Sequence, residues 1–178
     1  MQELDEENNI SSKPPVVIGG VLVVPAALIN DSITEDYKNQ GFASPEERAA
    51  VEKAAMNAVF MVENELRNKA TDRSREKIGY DIESLCSITG NLRFIEVKGR
   101  RIDAETVTIT KNEIIYGLNL PDQFILAIAF VDGKKVDVHY VQNAFRFEPD
   151  FGVTSVNFNV KDLLTKTVHK RTVIVDGN

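Results

Sequence analysis

The chain has 178 residues, 43% hydrophobic and 27% charged, the proportions of an ordinary globular protein with one main domain. Its 21 Lys plus Arg against 27 Asp plus Glu leave a formal charge of −6, which excludes a generally basic nucleic-acid coat and leaves only a local basic cleft. The lone cysteine, Cys86, excludes an intramolecular disulfide and a cysteine-based zinc site, and fits a reducing cytoplasm.

Residues 1–15 are acidic and aperiodic and end in Pro14-Pro15, so they read as a flexible linker, opposite in charge to the start of a signal peptide. Residues 16–43 read as an N-terminal extension. Its β-branched run Val16–Val24 suits a strand or a short Gly-Gly hairpin, closed by Pro25 and followed by a polar loop. The apolar stretch from Val16 to Ile29 is broken by Gly19, Gly20 and Pro25 and falls short of the ~20 residues that span a bilayer, so no membrane partner is expected.

The main domain is expected over 44–178. Ser44-Pro45-Glu46-Glu47 is a helix start, with a capping serine, a proline at the first helical position and a glutamate placed for a capping box. Val51, Ala55, Ala58, Val62 and Leu66 then recur every three or four residues, which predicts a helix from Pro45 to about Lys69. Thr71 to Lys77 reads as a charged loop. Strands are expected at Ile78–Cys86 and Leu92–Lys98, joined near Thr89-Gly90-Asn91, and again at Thr106–Ile109. Thr110 can cap a second helix over Lys111–Leu118, stopped by Asn119-Leu120-Pro121. Phe124–Val131 is nearly all apolar, as in a strand buried on both faces. Strands at Val136–Val141 and Val153–Val160 and a short helix at Asp162–Thr165 complete an α/β order, with helices covering both faces of a mixed sheet.

The chemistry concentrates in Leu92-Arg93-Phe94-Ile95-Glu96-Val97-Lys98-Gly99-Arg100. Strand alternation places Glu96 and Lys98 on one face, about 7 Å apart, and Ile95 and Val97 on the other. If the hairpin closes at Gly90, Asp81 lies opposite Glu96. Two carboxylates and a lysine at one point suit a hard, oxygen-ligated cation, with the lysine orienting a water or steadying negative charge. The bland alternative is a solvated ion pair at a sheet edge.

Arg93, Lys98, Arg100, Arg101 and Lys111 cluster beside this point and suit phosphate contacts, as do Thr108, Thr110 and Asn112 near the start of the second helix; a solvated strand end is the alternative. Gly133-Lys134-Lys135 lacks the spacing of a phosphate-binding loop, and no Gly-x-Ser-x-Gly elbow occurs. His139 and His169 stand on separate elements and read as structural, as do Cys86, Tyr80, Tyr116 and Phe94.

Asp81 followed by Glu96-Val97-Lys98, within helix–three strands–helix–strand, resembles the PD-(D/E)XK nuclease superfamily core. That resemblance implies a restriction-endonuclease-like fold with Asp81, Glu96 and Lys98 as catalytic residues and Mg²⁺ or Mn²⁺ held by Asp81 and Glu96. The Gln-x-x-x-Tyr of many relatives falls on Asn112-Glu113-Ile114-Ile115-Tyr116, with asparagine replacing glutamine, so Asn112, Glu113 and Tyr116 are accessory candidates. A first-helix glutamate also contributes in some relatives, and both Glu52 and Glu63 are open. Tyr80 stands where proline commonly precedes the aspartate; Pro121-Asp122 and Pro149-Asp150 follow the Glu-x-Lys and do not match.

More narrowly, Gly79-Tyr80-Asp81-Ile82-Glu83-Ser84, Phe94–Arg100, Thr108–Glu113 and Phe124-Ile125-Leu126-Ala127 resemble the NO VEIN C-terminal domain family, over about 43–164. The resemblance implies the C-terminal piece of a large helicase-like ATPase, in some relatives one used in defence against foreign DNA. Its partners would be DNA and the motor domains, and its activity metal-dependent phosphodiester hydrolysis. The alternative is a catalytically inactive DNA-binding or protein-docking module.

Overall fold

A computed structural model describes residues 44–175; the linker and the Val16–Val24 strand read from the sequence lie outside the described residues. In chain order the elements are α1 (Pro45–Glu65), β1 (Lys69–Asp72), a 3-10 turn (Ser74–Glu76), β2 (Ile82–Leu85), β3 (Leu92–Arg101), β4 (Thr106–Thr110), α2 (Lys111–Asn119), β5 (Phe124–Asp132), β6 (Lys135–Gln142), β7 (Ser155–Asn159), α3 (Val160–Leu164) and β8 (Thr167–Ile174). No helix among the described residues is long and apolar enough to cross a membrane.

The α1 start forms as its sequence dictates. Glu47 N donates to Ser44 Oγ at 3.1 Å and Ser44 N donates to Glu47 Oε2 at 2.9 Å, a cap contributing about 1 kcal/mol. The helix ends at Glu65 rather than the expected Lys69, because Arg67 adopts a left-handed φ of 59° and Lys69 already begins β1. The chain read as a charged loop from Thr71 thus starts as an edge strand, and β2 begins only at Ile82, after the turn.

Six strands form one mixed sheet in the order β1-β2-β3-β5-β6-β8, and β4 pairs with β7 in a second, two-stranded sheet. β3 and β5 run parallel, and the other neighbours in the large sheet are antiparallel. A parallel pair needs a crossover, here supplied by β4 and α2.

β5 is buried on both faces, as its composition predicts. Ile125, Ala127 and Ala129 join Ala55, Val59 and Val62 of α1 in one core. Phe124, Leu126 and Ile128 join Ile109, Ile114 and Leu163 in the other, so α1 covers one face while α2, α3 and the small sheet cover the opposite one. In this second core a Cβ added at Gly117 would lie 2.8 Å from Phe124 Cδ1 and 2.9 Å from Phe145 Cδ2. Gly117→Ala, ordinarily favourable in a helix, is therefore expected to cost about 1–3 kcal/mol through overpacking, read as a lower melting temperature.

Candidate active site

The β2–β3 hairpin pairs Ile82 with Ile95, which sets Asp81 opposite Glu96 at its open end. Asp81 N donates to Ile95 O at 3.0 Å, and Val97 N donates to Asp81 Oδ2 at 2.9 Å, so both backbone and carboxylate are fixed. Glu96 and Lys98 share the face toward α2. Lys98 Nζ lies 2.7 Å from Glu96 Oε1 and 2.8 Å from Glu113 Oε2. Thr110 N also donates to Glu113 Oε2 at 3.0 Å, as half of the α2 capping box. One oxygen therefore caps a helix and steadies the site's lysine.

Gly99 sets the approach of α1. A Cβ there would lie 2.9 Å from Val51 O and 3.0 Å from Ala55 Cβ, so only glycine lets the helix lie this close to β3. The approach brings Glu52 and Lys53 to the rim of a cavity of about 490 Å³ that also holds Asp81, Glu96, Lys98, Arg100 and Glu113. A second lobe of about 310 Å³ shares Ser74, Asp81, Glu96 and Glu113 and adds Lys77, Tyr80, Thr110 and Asn112. The carboxylates form the waist of a two-lobed trough. A larger cavity of about 550 Å³, lined by Phe145, Phe158 and Leu163, contains none of these groups and is mostly apolar.

Burial dominates the electrostatics. Glu96 is only 4% exposed. Burial pushes its carboxyl up to about 8 against the pull of Lys98, with Asp81 and Glu113 adding to the rise. Asp81 is raised by burial too, opposed chiefly by the Val97 N–H. Burial alone would lower the Lys98 ammonium, but Glu96 and Glu113 outweigh it and hold the group above its ordinary value. Lys98 is thus a charged donor, not a base.

Of the residues singled out from the sequence, Asp81, Glu96, Lys98, Arg100, Glu52 and Glu113 meet in one cavity, and exposed Asn112 lines the second lobe. Tyr116 packs beneath, its ring 5.0 Å from Tyr80 and 5.5 Å from Phe94. Lys111 turns away toward Asp150 O at 3.2 Å, and exposed Arg101 lies 3.8 Å from Asp103 Oδ1. Arg93 and Glu63 fall elsewhere. Arg93 is an odd-numbered residue of a strand whose even-numbered residues face the trough, so it points to the α1 side, where Arg93 Nη2 meets Glu63 Oε2 at 2.6 Å. Glu52, not Glu63, is the first-helix glutamate beside Asp81. Lys53, Lys77 and Ser74 also line the trough and were not singled out; alternation around Glu52 and Asp81 carries no signal for them.

The site's donor chemistry fits a hard divalent cation. Asp81 Oδ2 is engaged by Val97 N and Glu96 Oε1 by Lys98, which leaves Asp81 Oδ1 and Glu96 Oε2 without a partner among the described residues. Mg²⁺ takes one or two protein carboxylates and completes its shell with water and phosphate oxygens. Among the described residues no group of three or more His, Cys, Asp or Glu side chains is placed to hold a metal.

The family model described as "Protein NO VEIN, C-terminal" matches residues 51–141, half of the chain, from the second turn of α1 to the penultimate residue of β6. The chain belongs to this family. The match spans every residue of the trough, so the carboxylates, the lysine and both lobes lie within the NO VEIN C-terminal region, while β7, α3 and β8 lie beyond it. Comparisons with curated proteins and with solved structures gave no match.

Proposed function

We propose that the domain is a nuclease-like module of the PD-(D/E)XK type, which engages the phosphodiester backbone of DNA through a divalent cation as the C-terminal part of a helicase-like protein. One observation carries this reading: Asp81 and Glu96 line one cavity, each with one carboxylate oxygen held, by Val97 N and by Lys98, and the other without a hydrogen-bond partner among the described residues. The two unpartnered oxygens would hold Mg²⁺ or Mn²⁺. The cation would supply Lewis-acid stabilisation of charge on a phosphoryl oxygen and acidify a bound water. Lys98 would donate a hydrogen bond to an attacking water or to the developing negative charge, and its two carboxylate partners hold its proton. Lys53 and Arg100 in one lobe, and Lys77 and Asn112 in the other, suit phosphates on either side of the waist.

A cleavage assay on plasmid, linear duplex and single-stranded DNA, with Mg²⁺, Mn²⁺ or EDTA, tests the reading. Cutting is expected with metal alone and is expected to vanish in Asp81→Ala and in Lys98→Ala. Cutting that survives both substitutions would come from a contaminant. No cutting by any preparation would favour a second reading, a non-catalytic grip, which the closed Glu96–Lys98–Glu113 charge cluster supports. Binding would then ignore EDTA and fall steeply with salt.

A further inference from the structure

Glu113 reaches the waist of the trough from α2, outside the β2–β3 hairpin that carries Asp81, Glu96 and Lys98, and it lines both lobes. Its side chain is only 13% exposed. Oε2 is held twice, by Thr110 N at 3.0 Å and by Lys98 Nζ at 2.8 Å. A helix cap needs only an acceptor at this position, and glutamine serves there as glutamate does. A carboxylate placed beside two others is costly, and the Glu113 charge adds to the rise of both Asp81 and Glu96. The cap therefore accounts for an acceptor at 113 but not for its charge.

Lys98 accounts for the charge. Asp81 and Glu96, both ionised, carry −2, which balances one divalent cation. The Lys98 ammonium, 2.7 Å from Glu96 Oε1, cancels half of that. Glu113 restores it, since three carboxylates and one ammonium leave −2 at the waist. Glu52, the remaining carboxylate of this cavity, acts on Arg100 and makes no ion pair with Lys98. Because the cap fixes Glu113, Lys98 keeps a partner on the α2 side when a cation claims Glu96.

We infer that Glu113 is a positioning residue, which takes up the charge of Lys98 and so leaves the full charge of Asp81 and Glu96 to a divalent cation. The inference rests on the cation reading of the trough and adds a residue to it that ligates nothing itself. Mn²⁺ binding to the full chain tests it, read from the EPR signal of the free ion at one pH above the Glu96 titration. Wild type, Glu113→Gln, Lys98→Met and the double variant are compared, with circular dichroism checking each fold. Glu113→Gln keeps the cap and is expected to weaken Mn²⁺ binding about 10–100-fold. Lys98→Met is expected to tighten it, and the double variant, whose waist again carries −2, to bind like wild type. A double variant as weak as Glu113→Gln would make Glu113 a cation ligand and overturn the positioning role. Glu113→Gln binding like wild type would also overturn that role and leave the trough reading intact. Wild type showing no Mn²⁺ binding would overturn the trough reading and the positioning role together.

Discussion

Glu63→Ala is expected to lower the unfolding free energy by about 3–5 kcal/mol, the cost of breaking a buried charge pair from one side. Glu63 is 0% exposed, on the inner side of α1 near its end. Its carboxylate accepts from Arg93 Nη2 at 2.6 Å, Tyr140 OH at 2.8 Å, Asn68 Nδ2 at 3.0 Å and the Ser84 hydroxyl. One side chain thus ties α1 to β2, β3 and β6. Truncation leaves the part-buried Arg93 guanidinium and three neutral donors without their acceptor at once, each with its own desolvation cost. Against a typical domain stability of about 5–15 kcal/mol this is a large fraction. Urea unfolding measures it. Tyr140→Phe removes one of the four donors and should cost only about 1 kcal/mol. Equal losses from the two substitutions would show that the charge pair is not the keystone.

The second large effect is expected in the pH dependence of stability. The Glu96 carboxyl titrates near 8 in the folded chain and near its ordinary 4.5 when unfolded. Between those values the folded state holds a proton that the unfolded state has given up, so stability falls as pH rises through the window and levels above it. The span, 8 − 4.5 = 3.5 units, sets a ceiling of about 5 kcal/mol at 1.36 kcal/mol per unit. Asp81, also raised by burial, acts in the same direction. Lys98 is raised above its ordinary 10.5, so its contribution is complete throughout this window and is lost only at higher pH. Thermal melts of the metal-free chain across the window should show the decline. Saturating Mn²⁺ should flatten it, since a cation on Asp81 and Glu96 selects their ionised forms. A decline that persists unchanged in Glu96→Gln would assign the effect elsewhere.

The site was legible because it is built on a hairpin. The turn at Gly90 fixes the register, register puts Asp81 opposite Glu96, and alternation puts Lys98 beside Glu96. The same alternation, applied to Arg93 three residues before Glu96, separates it from the trough; clustering along the chain misled where counting by two would not. Glu52 and Glu63 could not be told apart by periodicity. They are eleven residues apart, close to three helical turns, so they share a face and differ only by about 16 Å along the axis. The edge strands β1 and β8 escaped notice because Lys69, Asp72, Lys170 and Arg171 break the apolar pattern, as charges on sheet edges commonly do. The α1 start and β5 were plain, since capping chemistry and a run buried on both faces are local signals.

The parallel pairing of β3 with β5 has a consequence for the order in which the site assembles. Asp81 and Glu96 are joined by a hairpin that closes locally, on a timescale of about 1–10 μs. Glu113 arrives only when the chain has run through β4, turned into α2 and returned to set β5 against β3, a non-local step that is intrinsically slower. Lys98 therefore meets Glu96 early and its second carboxylate late. The cluster's last member is thus brought in by the crossover, and a mutation that slows the crossover is expected to delay the site's last contact.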